Sequence, residues 1–401
     1  MLFTLEALEA AHGDCLLLHY GTTQSPRAVV IDGGPPGVYG RHLEPRLLAL
    51  RDSRAPGQAL PIPLLAISHI DEDHIQGALA MTREMRRAKD DGDPAVFNVL
   101  QLWHNSFDDM VKPVKANVAE VRPAIQLAET AQPLSATFAS VAPDDTKLVL
   151  ASVAQGRQLR ADAQRLGIPM NSGFADGFIV TPASGVLKKN VGSGLTLTIV
   201  GPRQEQLDAL QGDWAKYIKK ARKNKKLKPA EVMEAAAANF VDKSVYNLSS
   251  IVLLAESGGK TMLLTGDARG DYVIQALEEA KLKEVGKAFH VDVLKVPHHG
   301  SWRNLSDSFL REVTADHYVF SANGKYDNPD KPSMQSLLKV RPKGGYTIYL
   351  TNRKHVDSGS VLPAAAYLDR AAKPKNVDVV YANDADQVPR IVIDLGDPLA
   401  D

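Results

Sequence analysis

The sequence contains a single cysteine, Cys15, among its 401 residues. One cysteine excludes an internal disulfide framework and a zinc site built from several thiolates, so a bound metal would need histidine and carboxylate ligands. The first residues lack a basic segment followed by an apolar one, and no apolar run approaches the ~18 residues that a membrane span requires. We therefore expect a cytoplasmic protein of a reducing compartment that does not enter a membrane.

The chain also lacks a net charge, because 47 basic and 47 acidic residues cancel. Global charge therefore neither favours nor excludes a nucleic-acid partner. Locally, the segment Lys216–Lys228 is the most basic stretch of the protein. It could contact phosphates, or it could be a solvated helix face or loop. The lysines that we single out as candidate phosphate contacts are Lys219, Lys220, Lys223 and Lys226.

The densest group of metal-competent side chains follows one apolar strand. Residues Leu64–Ile67 read as a buried strand, and the motif behind it carries His69, Asp71, Asp73 and His74. Imidazole nitrogens and carboxylate oxygens are ligands of Zn²⁺, Mn²⁺ and Fe²⁺. A strand that delivers polar residues only after its last apolar one holds them on a rigid scaffold and leaves them open to solvent.

Three further apolar strands end on residues of the same types. The candidate ligands that follow them are His104, Asp267, His298 and His299. Taken alone, a histidine after a strand is typically a solvated loop residue, and Asp267 could cap the helix that follows it. The four strand ends together favour a shared metal site over four separate coincidences.

Strands dominate two blocks of the sequence, about residues 1–104 and 195–395, with helices between them. This pattern predicts two sheets packed face to face and covered by helices on the outside. We interpret the chain as a single domain, 1–401. Its parts are an N-terminal half, 1–106, an α-helical insertion, 107–194, and a C-terminal half, 195–401, which contains a basic insertion at about 212–246.

These motifs resemble those of the metallo-β-lactamase-fold hydrolases, specifically the branch related to the hydrolase domain of bacterial competence (DNA-uptake) channel proteins. The family signature His-x-His-x-Asp-His corresponds to residues 69–74, which read His-Ile-Asp-Glu-Asp-His. The branch also has a strand running into Thr-Gly-Asp, here Thr265–Asp267, and one running into Pro-His-His-Gly-Ser, here Pro297–Ser301. Asp32-Gly33-Gly34 resembles the early Asp-Gly-Gly turn of the fold.

The resemblance implies an α/β fold, an αββα sandwich with helical insertions, and a site for two divalent ions. Zn²⁺ and Mn²⁺ are the expected metals, and Fe²⁺ is a further candidate. The implied ligands are His69, Asp71 and His104 for one ion, and Asp73, His74 and one of His298 and His299 for the other, with Asp267 as the bridge. We favour His298 as the ligand, His299 as a catalytic donor facing the substrate, and Asp73 as the residue that orients the nucleophile.

Two positions depart from the family pattern. Asp71 stands where the family usually has histidine, and the additional carboxylate oxygen should shift the metal preference toward Mn²⁺ or Fe²⁺. Asn328 replaces the histidine of a Gly-His-Pro segment of the competence-type domains. We take Asn328 and Ser301 as candidate substrate-binding residues.

The implied reaction is hydrolysis by a metal-activated hydroxide, since bound divalent ions lower the pKa of water from ~15.7 to about 7. The competence-like branch points to a phosphodiester substrate, either a small molecule or a nucleic acid. No Cys or Ser elbow is placed near the motif, so covalent nucleophilic catalysis is the poorer account. The alternatives are hydrolysis of a carboxylic ester, thioester or amide, and a binding or regulatory module of the same fold. The nearly complete ligand set favours an enzyme.

Overall fold

The structure is a computed structural model that describes residues 1–106, 144–182, 185–208 and 249–399. In the helix Asp144–Leu166, side chains are described from Ala154 onward. The basic segment 216–228 lies outside the described residues, as do residues 107–143 and 183–184 of the expected helical insertion.

Strands and helices alternate along most of the described chain. The strands are β1 Leu2–Leu8, β2 Leu16–Thr22, β3 Ser25–Ile31, β4 Leu60–Ile62, β5 Leu65–Ile67, β6 Phe97–Val99, β7 Leu102–His104, β8 Leu187–Gly192, β9 Leu195–Gly201, β10 Val252–Ser257, β11 Lys260–Leu264, β12 Phe289–Lys295, β13 Val313–Phe320, β14 Tyr346–Leu350, β15 Val377–Tyr381 and β16 Arg390–Asp394. The α-helices are α1 Glu44–Arg54, α2 Glu72–Asp91, α3 Asp144–Leu166, α4 Gly270–Glu279, α5 Asp307–Glu312, α6 Lys331–Val340 and α7 Pro363–Arg370.

The strands of the described residues form two large sheets and one small one. The six-stranded sheet has the order β16-β1-β2-β3-β5-β7, and the eight-stranded sheet has the order β15-β14-β13-β12-β11-β10-β9-β8. β3, β5 and β7 run parallel, and so do β11 to β15. Ligands of such sheets bind outside the carboxyl ends of the parallel strands, and the candidate ligands lie at these ends.

One apolar core lies between the two large sheets. Leu5 and Leu18 of the six-stranded sheet share it with Leu197, Leu253 and Val293 of the eight-stranded sheet. Each of these side chains is fully or almost fully buried, and burying such a side chain stabilises the fold by roughly 2 kcal/mol. The sheets therefore pack face to face, as the two strand blocks of the sequence predict.

A further core lies on the outer face of each sheet, under helices. On the six-stranded sheet, Val30 packs in a cluster with Leu47 of α1 and Leu79 of α2. On the eight-stranded sheet, Leu263 shares a cluster with Leu277 of α4 and Leu337 of α6. The described chain is thus a mixed α/β structure with helices outside both sheets. None of its described helices has the length and apolar character needed to cross a membrane.

Residues within the expected helical insertion differ in part from that expectation. The helix α3 agrees with it, but Leu187–Gly192 is the strand β8, paired with β9 in antiparallel fashion. β8 is an edge strand with alternating exposure and carries the lysines Lys188 and Lys189. Because this short strand is polar and half-exposed, its composition did not distinguish it from a loop.

Candidate metal centre

The candidate ligands other than His104 come from the segments that follow β5, β11 and β12, with Asp73 and His74 in the first turn of α2, and these segments contact one another. Gly266, after β11, packs so closely on Ser68, after β5, that a Cβ atom on it would lie 2.9 Å from Ser68 Cβ. The His298 amide, after β12, donates to the Gly266 carbonyl at 3.1 Å, and the Ile251 amide donates to the Ser68 carbonyl at 2.8 Å. These contacts fix the loops that carry the ligand motifs relative to each other.

The turn after β12 has an unusual backbone that aims its two histidines in different directions. His298 and His299 both have left-handed φ angles, of 47° and 54°. Non-glycine residues rarely adopt this conformation, and it occurs preferentially at functional sites. As a result, His299 points inward and is 2% exposed, whereas the side chain of His298 is 31% exposed.

Four ligand-type side chains enclose a common point: Asp73, His74, Asp267 and His299. His74 Nε2 lies 3.4 Å from Asp267 Oδ1 and 3.3 Å from His299 Nε2. His299 Nε2 lies 3.4 Å from Asp267 Oδ1 and 3.4 Å from Asp73 Oδ2, and His74 Nε2 lies 3.9 Å from Asp73 Oδ2. We call these residues the inner cluster.

The spacing within the inner cluster is that of ligands around an ion. Atoms about 2.0–2.2 Å from a tetrahedral metal lie about 3.3–3.6 Å from one another. Most of the measured separations fall in or close to this range and exceed the ~3.2 Å limit of an ordinary N–H···O hydrogen bond. The four atoms are therefore spaced as the ligands of a single cation would be.

A second group lies on the other side of the same carboxylate. Asp267 Oδ2 is 3.8 Å from His69 Nε2 and 3.6 Å from His298 Nε2, while Asp71 Oδ2 is 3.6 Å from His69 Nε2. We call His69, Asp71 and His298 the outer group. Since Oδ1 of Asp267 faces the inner cluster and Oδ2 faces the outer group, Asp267 occupies a bridging position.

The opposite ring nitrogens of His69 and His74 are held by a carboxylate at the end of β3. Asp32 Oδ2 lies 2.9 Å from His74 Nδ1 and accepts from the Ser68 hydroxyl at 2.7 Å. Ser68 Oγ in turn lies 3.0 Å from His69 Nδ1. This series of hydrogen bonds is complete when both histidines carry their proton on Nδ1. Each Nε2 then has a free lone pair that faces the inner cluster or the outer group.

Asp14, whose side chain is 1% exposed, contacts the Nδ1 side of the His299 ring in the same way. Asp14 Oδ1 lies 3.3 Å from His299 Nδ1 and also accepts from the Ser321 hydroxyl. Its second oxygen, Oδ2, lies 2.7 Å from the ammonium of Lys295, which is fully buried in β12. Lys295 thus compensates the buried charge of Asp14.

The carboxylates dominate the electrostatics of the inner cluster. Burial by itself would lower the pKa of His74, but Asp267, Asp73 and Asp32 outweigh it and raise that pKa well above 6.5. For His299, burial is likewise outweighed by Asp267 and Asp14, and its pKa is also raised well above 6.5. Burial would raise the pKa of Asp267, but His299, His298 and His74 hold it well below 3.8. The pocket favours positive charge at the ring nitrogens, as a site for a cation should.

Within the described residues, two buried atoms at the centre of the site make no hydrogen bond, namely His69 Nε2 and Asp267 Oδ1. A buried polar atom without a partner costs about 1–3 kcal/mol, and such atoms are rare in folded proteins. Both atoms are of metal-ligating type and face the two groups described above. The residues present therefore fit divalent cations.

Of the other residues singled out from the sequence, those that the structure describes belong to neither group. His104 packs under α3, where a Cβ atom on Gly156 would lie 3.4 Å from His104 Nε2, and no metal-competent group of the described residues includes it. Ser301 closes the turn after His298 through its amide, and Asn328 accepts from the Gly324 amide in the loop after β13. Lys219, Lys220, Lys223 and Lys226 lie outside the described residues.

The sequence analysis did not identify Asp14 and Lys295 as parts of the site, and it used Asp32 only as a turn residue. One signal was present, because Lys295 interrupts the apolar run of β12 and a fully buried lysine requires a partner. Nothing in the sequence indicated that the partner is Asp14, which lies 281 positions away (295 − 14).

No protein-family model matches the chain. A curated relative, ComE operon protein 3 of Bacillus subtilis (strain 168), is 30% identical over 129 residues, which cover 30% of this chain and 16% of that protein. The chain thus matches a small part of the relative's length. The match is loosely consistent with the resemblance of the motifs to competence proteins. Over this part, the chain is similar to a bacterial competence-operon protein.

Proposed function

We propose that the protein is a metallo-β-lactamase-fold hydrolase that uses two divalent ions to cleave a phosphodiester. The observation that carries this proposal is the inner cluster, in which Asp73, His74, Asp267 and His299 present four ligand atoms at separations suited to one ion. The αββα layering and the order of the motifs support the fold assignment.

The geometry favours a modified set of ligands. Asp73, His74 and His299 would hold the inner ion, and Asp267 would contribute to both sites. His69 and Asp71 would hold the outer ion, with His298 within reach of Asp267 Oδ2. His299 thus takes the role of ligand for which the sequence analysis favoured His298, because His299 is buried against the cluster. His298, at the exposed edge, becomes the better candidate for a donor that faces the substrate.

The charge of the site supports a pair of divalent ions. Asp32, Asp71, Asp73 and Asp267 bring four negative charges to the two groups, while Lys295 already compensates Asp14. Asp32 and Asp267 are buried and Asp73 is mostly buried, and carboxylates in such surroundings are costly unless cations compensate them. Two divalent ions would neutralise the four carboxylates.

When bound, such ions supply Lewis acidity and lower the pKa of a water molecule to about 7. The side chains of the protein orient the ligands and accept the proton. Asp32 and Asp14 keep the Nε2 atoms of His74 and His299 directed at the cluster, and Asp73, whose side chain is 19% exposed, is placed at the solvent side to accept a proton from the attacking water. Asp71 and His298 are more exposed still, so the substrate approaches from their side.

The preference for a phosphodiester rests on the similarity to the competence-operon protein and on the motifs that resemble it. The basic segment Lys216–Lys228 remains a candidate contact for nucleic acid. A carboxylic ester, thioester or amide substrate, and a binding module without turnover, are the competing outcomes of the experiment below.

The proposal is tested by metal analysis of the purified protein together with hydrolysis assays. We expect close to two equivalents of bound metal and turnover of bis(p-nitrophenyl) phosphate that depends on Zn²⁺ or Mn²⁺. Asp267→Asn should bind less metal and lose at least about 100-fold in kcat/KM, because it removes a charge shared by both groups. The matched control is Asp52→Asn, since Asp52 is an exposed carboxylate paired with Arg51.

An enzyme that hydrolyses p-nitrophenyl acetate in a metal-dependent way but not the phosphodiester would contradict the phosphodiester assignment. Protein that binds no metal and turns over neither substrate would leave the binding module as the better account. Equal loss in Asp267→Asn and Asp52→Asn would show that the effect does not come from the site.

A further inference from the structure

The loop after β1 and the loop after β13 form one border of the inner cluster. Gly13 packs directly on the ligand loop, since a Cβ atom on it would lie 1.8 Å from the Asp73 carbonyl oxygen. The Asp14 amide donates to the same carbonyl at 3.3 Å, and Ser321 donates to the Asp14 carboxylate. Side chains on these two loops therefore lie next to the place where the substrate must bind.

Three side chains of these loops contact one another at the surface. The rings of His12 and Tyr326 meet edge to face, with centroids 5.4 Å apart. The ammonium of Lys325 lies 3.4 Å from His12 Nε2 and 5.3 Å from the centroid of the Tyr326 ring. Tyr326 is nevertheless 60% exposed, although large aromatic side chains are normally much more buried.

The position of this group distinguishes it from ordinary surface pairs of a cation and an aromatic ring. Lys331 over Tyr367 is such a pair, and both of its residues belong to the outer helices α6 and α7. His12 instead directly precedes Gly13, which packs on the Asp73 carbonyl, and Lys325 and Tyr326 contact His12. His12 also lies within electrostatic reach of Asp73, His74 and His299.

An exposed aromatic ring beside a fixed ammonium is suited to one kind of ligand, a planar ring joined to an anion. Aromatic side chains stack on nucleobases regardless of base identity, and lysine binds phosphate as a point charge. The edge-to-face contact with His12 and the ammonium of Lys325 orient the Tyr326 ring and leave most of its surface open. A phosphodiester held at the metals would carry its substituents along this border.

We propose that His12, Lys325 and Tyr326 form a subsite that binds the nucleobase and flanking phosphate next to the scissile phosphodiester. This inference rests on the proposed function and specifies its substrate as a nucleotide-containing diester. Tyr326 stacks on the base, Lys325 neutralises the phosphate, and His12 fixes the position of both.

The test compares two substrates with the same leaving group, thymidine 5′-(p-nitrophenyl phosphate) and methyl p-nitrophenyl phosphate, with Mn²⁺ or Zn²⁺. We expect the wild-type protein to favour the thymidine ester in kcat/KM. Tyr326→Leu should reduce that preference by about tenfold, the scale of one base-stacking contact, and Tyr326→Phe should retain it because the ring remains. Tyr367→Leu, the matched control on the outer helices, should leave the preference unchanged.

A second measurement does not require turnover. Titration of the metal-free protein with thymidine 5′-monophosphate and with deoxyribose 5-phosphate should show tighter binding of the nucleotide. This difference should shrink in Tyr326→Leu, whereas Lys325→Met should weaken the binding of both ligands, since both carry the phosphate. Equal hydrolysis of both esters by the wild type, with no difference in binding, would overturn the subsite and leave the hydrolase intact. A binding difference that Tyr326→Leu removes, in a protein without any hydrolysis, would support the subsite and overturn the proposed function.

Discussion

Lys295 has no exposed surface, and its ammonium pairs with a carboxylate that lies directly behind a candidate ligand. Burial would raise the pKa of Asp14, but Lys295 and His299 lower it, so Asp14 stays ionised and can hold the His299 ring. We expect Lys295→Met to destabilise the protein by about 3–5 kcal/mol, because it leaves a buried charge without its partner. Metal affinity should fall about 10- to 100-fold, the usual cost of losing support for a ligand.

A double variant separates these two effects. Asp14→Leu combined with Lys295→Met removes both buried charges, so it should regain most of the free energy of unfolding in urea denaturation. Its zinc affinity in a competition titration should stay weak, since His299 Nδ1 has lost its carboxylate partner and keeps only the Ser321 hydroxyl at 3.4 Å. Wild-type zinc affinity in the double variant would show that Asp14 and Lys295 have a structural role only.

At the residue scale, the sequence could predict ligand types but not the groups that orient them. His69, Asp73, His74 and Asp267 each follow an apolar run, and this local pattern is visible without a structure. The contact of Asp14 with His299 depends on how strands far apart in the sequence are arranged, which no local pattern encodes. The choice between His298 and His299 depends on two left-handed φ angles, which the sequence also does not reveal.

At the element scale, helix α2 is held against the turn after β3 by two glycines. A Cβ atom on Gly77 of α2 would lie 1.9 Å from the Gly33 carbonyl oxygen. This contact keeps Asp32 beside His74, since the Gly33 amide also donates to the His74 carbonyl at 2.7 Å. The close approach of helix and turn thus positions a ligand and its supporting carboxylate together.

We expect Gly77→Ala to destabilise the protein by about 2–4 kcal/mol and to weaken metal binding. Alanine in a helix interior normally gains about 1 kcal/mol over glycine, but here the new methyl group collides with backbone and must displace the helix or the turn. The control is Gly40→Ala, because a Cβ atom there meets only the end of the Glu44 side chain, at 4.0 Å. Urea denaturation of the metal-free proteins measures the stability of both variants. A Gly77→Ala protein as stable as Gly40→Ala would refute the argument.

Two apolar runs of the sequence each contain two strands that belong to different sheets. The run from Pro61 to Ile67 reads as one strand but forms β4 and β5, which belong to different sheets, and the run from Val96 to Trp103 likewise contains both β6 and β7. An apolar pattern indicates burial: β5 and β7 are buried throughout, and β4 and β6 bury every residue except the middle one. It does not show which neighbour supplies the hydrogen bonds, so a chain that changes sheets within a few residues looks continuous.

At the scale of the whole molecule, the two sheets and their outer helices follow from the distribution of apolar residues, but the order of strands does not. β16 pairs with β1 at the opposite end of the chain, as in the contact of Ile393 with Leu5. Such a pairing brings the C-terminal strand beside the N-terminal one in the six-stranded sheet. The pairing of β16 with β1 depends on how the layers pack across the whole molecule. Local sequence patterns therefore predict the layers but not the order of strands within them.

The charge balance of the inner cluster also sets how the whole protein responds to pH. The pKa values of His74 and His299 are raised in the folded, metal-free protein. The stability that they contribute is complete below their unfolded pKa of about 6.5 and is lost as the pH rises through the folded value. The pKa of Asp267 is lowered, so its contribution is present above about pH 4 and is lost as the pH falls toward its folded value.

We therefore expect the metal-free protein to be most stable between about pH 4 and 6.5 and the stabilisation by metal to grow as the pH rises from 5.5 to 8. Each imidazole proton displaced by an ion adds up to about 1.4 kcal/mol per pH unit to the binding free energy. Melting temperatures with saturating Zn²⁺ and with chelator, measured across this range, give the difference directly. In Asp267→Asn the slope should be smaller, because one source of the raised histidine pKa is gone. A difference that stays constant from pH 5.5 to 8 would mean that the ions and the protons do not compete for His74 and His299.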